Sequence, residues 1–162
     1  MTPAELYNYF TPLEAAIVSV LEAQEFTVWT PSTDPAFQKE RPRVEAVIMP
    51  GAAMGFLLPD SARVCRSGFL REKARNASLH LLAITSAEIQ IHRAYVARLL
   101  YAVDTLGFDM NETALMPYHA VQMVKCNGGG MNHNPEDGSF ETTLTCDVHF
   151  GIKESAWADL ET

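Results

Sequence analysis

A long run of alternating apolar and polar residues, from Ser139 to Ile152, constrains the fold more than any other feature of the chain. One side of the alternation is apolar except at Thr142 and consists of Phe140, Leu144, Cys146, Val148, Phe150 and Ile152. The other side is polar and consists of Glu141, Thr143, Thr145, Asp147 and His149. A period of two predicts a β-strand with one face on the core and one in water. At about 3.4 Å per residue the strand spans more than roughly 40 Å, about twice the usual length, so we expect it to project beyond a small domain.

Helix-start signals divide the rest of the chain into elements. Capping boxes with the sequence Thr-x-x-Glu begin at Thr2, Thr11 and Thr85. In the first two, Pro directly follows the Thr. The second box predicts a helix that buries Leu13, Ile17, Val20 and Leu21 and ends near residue 24. The third box, with Gly107 as the C′ residue, predicts a main helix of roughly 20 residues, about 30 Å long. Its predicted apolar stripe is Ile89, Val96, Leu99, Leu100, Val103 and Leu106.

Short apolar runs at residues 26–30, 43–49, 76–85 and 118–126 predict the remaining strands. The run 76–85 is apolar on both faces, which indicates a central position in the sheet. Residues 127–138 carry Gly128, Gly129 and Gly130 and predict a loop, and residues 51–75 predict either a mobile excursion or a poorly patterned β-ribbon. The expected fold of the 162 residues is one α+β domain. It has a mixed or antiparallel sheet packed against one long helix and an N-terminal helix, and it ends in a long β-hairpin.

Charge is distributed unevenly along the chain. The net charge is −8, yet eight of the twelve basic residues lie between Lys39 and Arg75. One copy with a basic segment and an acidic remainder can attract another copy head to tail, and the other interpretation is a solvated surface with no partner. The side chains that we expect at a contact between copies are Arg63, Arg66, Arg71, Lys73, Arg75, Glu141 and Asp147. The acidic excess argues against tight binding of nucleic acid.

The motifs of common enzymes and metal sites are missing from the sequence. The cysteines Cys65, Cys126 and Cys146 have no CxxC spacing, and buried free thiols are the expected outcome. The five histidines form no HExxH motif, and residues 132–138 do not have the ligand spacing of a calcium loop. His92 lies in the apolar stripe of the main helix and is expected to be a hydrogen-bonded core residue rather than a catalytic base. We therefore expect a protein that is not an enzyme and uses no cofactor or metal.

No apolar run approaches the roughly 18 residues that a bilayer-spanning helix needs. The N-terminal sequence MTPAELYNYF also lacks the basic start and apolar stretch of a signal peptide. Folding in a reducing cytoplasm, without a membrane, is the expectation that follows.

Three stretches of the chain carry a resemblance to a known family. They are SLHLLAI (78–84) running into HRAYVARLL (92–100), MPYHAV (116–121), and CDVHFGI (146–152) followed by Trp157. From residue 43 onward the order of elements and the hydrophobic pattern resemble the tail-terminator and tail-completion proteins of long-tailed bacteriophages. The likeness contains no diagnostic motif, and residues 51–75 and 127–138 are where this chain departs from the family pattern.

The resemblance implies a structural virion protein of the phage tail and neck, assembled in the host cytoplasm. In that family the subunit forms a ring, usually a hexamer, which caps the tail-tube protein and joins it to the head-side connector protein. DNA then passes through the channel without specific binding, which an acidic lining favours. Two alternatives stay open: another head–tail connector or tail-tube subunit, and a small soluble enzyme or ligand-binding α+β domain with a pocket around a group such as His92.

Overall fold

The computed structural model describes residues 2–33, 40–51, 69–86 and 88–161, and for residues 69–73 and 161 it describes the backbone alone. The helices are α1 (Pro3–Tyr7), α2 (Phe10–Ala23), α3 (Ile89–Asp104), α4 (Leu106–Glu112) and α5 (Glu154–Glu161). The strands are β1 (Val28–Trp29), β2 (Arg43–Pro50), β3 (Phe69–Thr85), β4 (His119–His133) and β5 (Phe140–Lys153). The described strands form one sheet in the order β1-β2-β3-β5-β4. Only β1 and β2 pair in parallel, so the α+β class is confirmed and the sheet is mixed.

The main core lies between one face of the sheet and helices α2, α3 and α4. On the sheet side, the buried residues alternate along β3 and β5 and include Leu79, Leu81 and Val148. On the helix side, the predicted face of α2 is confirmed, since Leu13, Ile17, Val20 and Leu21 are all buried. A smaller cluster of Leu6, Ile152 and Ala156 joins α1 and α5 to the end of β5. All of the described helices therefore bury apolar side chains against the same face of the sheet.

Strand β5 lies in the interior of the sheet and does not project from it. It pairs antiparallel with β3 on one side and with β4 on the other, over almost its whole length. Its predicted alternation is confirmed, because Leu144, Cys146 and Val148 are buried while the residues between them are half-buried. The expectation that this strand reaches beyond its own domain is wrong, because both of its hydrogen-bonding edges are occupied by neighbours.

Two strands are longer than the sequence predicts. β3 begins at Phe69 rather than near residue 76, so part of the predicted excursion 51–75 belongs to the sheet, and residues 52–68 lie outside the described part of the chain. β4 continues through the three glycines to His133, so the predicted loop 127–138 shortens to the turn after that residue. Gly129 and Gly130 pair with Leu144 and Thr143, and this pairing keeps the glycine-rich stretch extended.

The main helix differs from its predicted bounds at both ends. Glu88, rather than Thr85, is the N-cap residue of α3, and α3 ends at Asp104 after 16 residues. Gly107 lies inside α4 instead of ending the helix, and a Cβ there would lie 3.2 Å from Val121 Cγ1. Close packing of α4 on β4 explains this glycine. The stripe is also partly wrong, since Leu100 is exposed and Tyr95, which the predicted stripe does not include, is buried.

Of the other helix starts, one capping box forms and one does not. The Glu5 amide donates to the Thr2 hydroxyl, and the Thr2 amide donates to the Glu5 carboxylate over 2.7 Å. The box at Thr11 is absent because α2 already begins at Phe10, with Tyr9 as an N-cap residue that makes no side-chain bond.

Candidate subunit interface

The sheet face opposite helices α2, α3 and α4 is called the open face here. It carries Val47 and Met49 from β2, Ser78, His80 and Leu82 from β3, and the polar residues of β5, as the strand registers require. All of these side chains are half-buried or exposed, whereas Arg43, Asn76 and Ile84, which the registers place on the same face, are buried. Within the described residues, the buried clusters lie on the other side of the sheet. The open face is a mixed apolar and polar surface of the kind that a partner can cover.

Glu141 and Asp147, two of the predicted interface residues, both lie on the open face. Asp147 pairs with Lys125 of β4 and accepts a short hydrogen bond from the side-chain amide of Asn127. Glu141 lies opposite Asn132 in the same ladder. The structure thus brings these two carboxylates to one surface, although Asp147 already has a partner within its own chain.

Of the predicted basic residues, Arg75 alone has a described side chain, and it does not join those carboxylates. Arg63 and Arg66 lie outside the described residues, and Arg71 and Lys73 are described only as backbone of β3. Arg75 is opposite Phe150 and therefore on the helix-covered face. Its guanidinium lies 6.0 Å from the centre of the Tyr7 ring and donates to the Ala74 carbonyl oxygen over 2.8 Å. Arg75 and the two carboxylates consequently point to opposite sides of the sheet.

Charge also separates between the two layers of the fold. The described helices contain nine acidic and two basic residues, a net charge of −7. The strands contain six basic and four acidic residues, a net charge of +2. The acidic excess of the chain therefore belongs to the helix layer, including Glu14 and Glu22 on α2 and Asp109 and Glu112 on α4. The sequence indicated an asymmetry along the chain, and in the structure it becomes an asymmetry between layers.

The outer edge of β4 is the surface that the sequence does not reveal. The Lys153 amide donates to the Tyr118 carbonyl oxygen, so odd-numbered residues of β5 bond to β4 and even-numbered residues bond to β3. Where β4 is opposite an even-numbered residue of β5, its own amide and carbonyl then point away from the sheet. Outward-pointing groups of this kind occur at Val121, Val124, Cys126, Gly129, Met131 and His133.

Asn111 of α4 closes this edge at one position. Its side-chain amide donates to the Val121 carbonyl oxygen over 2.7 Å, and its Oδ1 accepts from the Val121 amide over 2.8 Å. The side chain thereby reproduces the two bonds of a neighbouring strand. From residue 124 to residue 133, none of the described residues pairs with the outer side of β4. Most side chains in this stretch are exposed.

Glycines shape the same stretch of β4. Gly128 has φ of +150°, a backbone conformation that side chains disfavour, and a register shift lies between Cys126 and Gly128. At Gly129 a Cβ would lie only 2.4 Å from the Thr143 carbonyl oxygen. The glycine-rich sequence is therefore a bulged and closely packed edge strand, and the backbone itself is the exposed surface.

His92 is a core residue with both ring nitrogens engaged. Nδ1 lies 2.9 Å from the Thr85 hydroxyl, and Nε2 lies 2.7 Å from the Thr142 hydroxyl. The side chain is fully buried, and this burial lowers the pKa of His92. The expectation of a bonded core histidine is confirmed, and no ring nitrogen is left to act on a substrate.

His119 is the second buried histidine. Its Nε2 donates to the Leu6 carbonyl oxygen over 2.8 Å, which joins the start of β4 to α1. Burial lowers the pKa of His119 more than that carbonyl bond raises it, and the charge of Lys153 lowers it further. His149 lies on the open face, and burial lowers its pKa as well.

A groove of about 730 Å³ runs between α2 and residues 30–33. Hydroxyl groups and the carboxylates of Glu14 and Glu22 line it, and His92 does not. Among the described residues there is no group of three or more metal-ligating side chains. No described helix is long and apolar enough to cross a membrane. Comparison with protein-family models and with characterised proteins finds no match for this chain.

Proposed function

We propose that the chain is a structural subunit of a bacteriophage tail, which forms a ring that caps the tail tube and joins it to the head-side connector. The observation that carries this proposal is the outer edge of β4 from residue 124 to residue 133. Exposed edge strands template pairing with other chains, and monomeric proteins protect them with charges, prolines, short length or covering loops. In this stretch only Lys125 is charged and no residue is proline. An edge of this kind favours assembly.

The second edge of the same sheet supports a head-to-tail arrangement. β1 covers only Val44 and Glu45 of β2, so the outer edge of β2 from residue 46 to residue 50 has no partner among the described residues. A contact between two different edges is heterologous, and it closes into a ring when the rotation per subunit allows. The β4 edge of one copy and the β2 edge of the next provide such a pair.

The negative charge of the helix layer is suited to a channel through which DNA passes. The helix layer carries the net charge of −7, and a surface of that sign repels phosphate. A ring with this layer towards its channel lets DNA pass without specific binding. In this proposal the protein needs no cofactor, metal or catalytic group.

The test is the size and shape of the purified protein. We expect analytical ultracentrifugation to find a closed oligomer with the mass of six protomers, and negative-stain electron microscopy to show short rings. Monomers at every concentration and salt would contradict the proposal. Long tubes would instead support the alternative of a tail-tube subunit.

A single substitution tests the β4 edge in that assembly. Met131→Pro removes one outward amide donor, while the inward bonds of β4 to β5 remain. We expect this variant to remain folded by circular dichroism and to be monomeric. Met131→Ser, which keeps the amide, is the matched control and should assemble. Equal assembly of both variants would show that the edge is not the contact.

A further inference from the structure

The sequence predicts three separate thiols, but the fold brings two of them face to face. Cys126 of β4 and Cys146 of β5 are directly opposite each other in the antiparallel ladder. Both lie on the helix-covered face, where Cys146 is fully buried and Cys126 is half-buried. No motif indicates this pairing, because it depends on the register of two strands.

The position in the ladder suits a covalent bond between the two side chains. Cys146 is an even-numbered residue of β5, so its backbone bonds to β3 and the Cys126–Cys146 pair is not hydrogen-bonded through its own backbone. Opposed Cα atoms at such a position are about 4.5 Å apart in antiparallel sheets. Disulfides span Cα separations of about 4.4–6.8 Å. The backbone therefore needs no rearrangement to hold the bond.

The two thiols differ in reactivity. Burial raises the pKa of Cys146 to about 12, and the adjacent Cys126 thiol adds to this effect. Cys146 is therefore a poor first nucleophile in water. Cys126 is half-buried at the edge strand and is the thiol that a small reagent reaches first.

We propose that Cys126 and Cys146 form a reversible dithiol–disulfide site that exchanges with low-molecular-weight disulfides. The Cys126 thiolate attacks the small disulfide, forms a mixed disulfide and releases one small thiolate. Cys146 then loses its proton and attacks the Cys126 sulfur, which forms the cross-strand bond and releases the second small thiol. The protein loses two protons and two electrons, and the small disulfide gains them. This inference does not depend on the proposed ring.

The disulfide would fasten β4 to β5 next to the bulge at Gly128. Among the described strands β5 alone lies beside β4, so β4 is attached to the sheet along one edge. The bond closes a loop that contains the turn 134–139 and the three glycines. We expect the oxidised protein to melt about 5–10 °C higher than the reduced protein, because the unfolded chain is constrained.

The experiment uses the full chain with Cys65→Ser, so that only the proposed pair can react, and the unmodified chain in parallel. The reduced, folded protein is incubated with oxidised glutathione at about pH 8, where thiolate forms, and free thiols are then alkylated. Trypsin cleaves after Lys125 and Lys153, so both cysteines fall in one peptide. We expect that peptide to be unalkylated and lighter by two hydrogen atoms. Cleavage after Glu136 should leave two fragments joined until they are reduced.

Three outcomes would overturn the proposal: a doubly alkylated peptide, a glutathione adduct that persists on Cys126, or a disulfide between two chains. The matched control moves one thiol by two positions, as Cys126→Ser with Val124→Cys. Position 124 is diagonal to Cys146, at a distance of roughly 7–8 Å that a disulfide does not span. The control should give no internal bond. Equal bond formation in the control would mean that chain mobility, and not the register, brings the thiols together.

Discussion

Replacement of His92 by phenylalanine tests the interior of this fold most directly. The imidazole joins three elements, since it lies on α3 and contacts hydroxyls at the end of β3 and the start of β5, at 2.9 and 2.7 Å. Phenylalanine keeps a ring of similar size beside Phe140, whose ring centre is 5.6 Å from that of His92. The substitution therefore removes two hydrogen bonds, and its larger ring places C–H groups where the nitrogens now contact the hydroxyls.

The cost of His92→Phe follows from the burial of the two hydroxyls. Thr85 is buried, so its hydroxyl loses its partner without gaining water, which costs about 1–3 kcal/mol. Thr142 is half-buried and can turn towards solvent, so its loss is smaller. We expect the free energy of unfolding at about pH 7 to fall by about 2 kcal/mol, and Tm to fall by about 4–8 °C.

The same variant changes how stability depends on pH. Burial lowers the pKa of His92 in the folded protein below its ordinary value of 6.5, so the unfolded chain binds a proton first as the pH falls. Stability from the neutral ring is fully present above about pH 6.5 and is lost as the pH falls towards the folded pKa. We expect the stability of His92→Phe to decrease less steeply in this range. The slope should not vanish, because the pKa values of His119 and His149 are also lowered.

Urea denaturation at about pH 7 and about pH 5.5 measures both effects. Thr142→Val and the double variant complete a mutant cycle, in which we expect a coupling of about 1 kcal/mol between the two positions. A His92→Phe protein as stable as the parent at neutral pH would refute the assignment of His92 as a bonded core residue. An unchanged pH slope would refute its neutral state.

Three further predictions concern the edge strand and its turn. Gly129→Ala should cost about 2–4 kcal/mol in urea denaturation, because its Cβ would lie 2.4 Å from a backbone oxygen, whereas Gly130→Ala, with nothing within 4 Å, should change stability by less than about 0.5 kcal/mol. Asn111→Ala should cost about 1–2 kcal/mol and raise amide hydrogen exchange at the edge that it closes. The hydrogen bond from Arg41 lowers the pKa of Asp137, so Arg41→Ala should raise that pKa towards its ordinary range in a carboxyl NMR titration.

The sequence predicts the elements with strong periodicity and misses those that depend on pairing. The alternation of β5 and the inward face of α2 are both strong enough to determine burial, and both predictions are confirmed. The stretch Gly128–Gly130 has no side chains to alternate, so its sequence resembles a loop. Only the neighbouring strand, which supplies backbone partners to the glycines, makes it part of the sheet. A pattern within one segment cannot report bonds made by another segment.

The candidate surfaces show the same limit. Glu141 and Asp147 are polar members of an alternating strand, so the sequence places them correctly on one face. The closing of the edge by Asn111 and the opposition of Cys126 to Cys146 depend on register and on helix placement. Such contacts join positions far apart in the chain and leave no local pattern. The bulges in β4 shift the register further, which composition and periodicity do not indicate.

The interior position of β5 changes how self-assembly through this sheet can occur. Because β3 and β4 occupy both edges of β5, a neighbouring copy can extend the described sheet at β4, or on the other side at the short β1 and the part of β2 that β1 leaves uncovered. If β4 pairs with β4, the contact is two-fold and stops at a dimer. If β4 pairs with the uncovered part of β2, each copy keeps one edge free for the next, and assembly continues until a ring or a tube forms. Oligomer size therefore identifies the edges in contact. A dimer indicates that β4 pairs with β4, and a larger closed ring indicates that β4 pairs with β2.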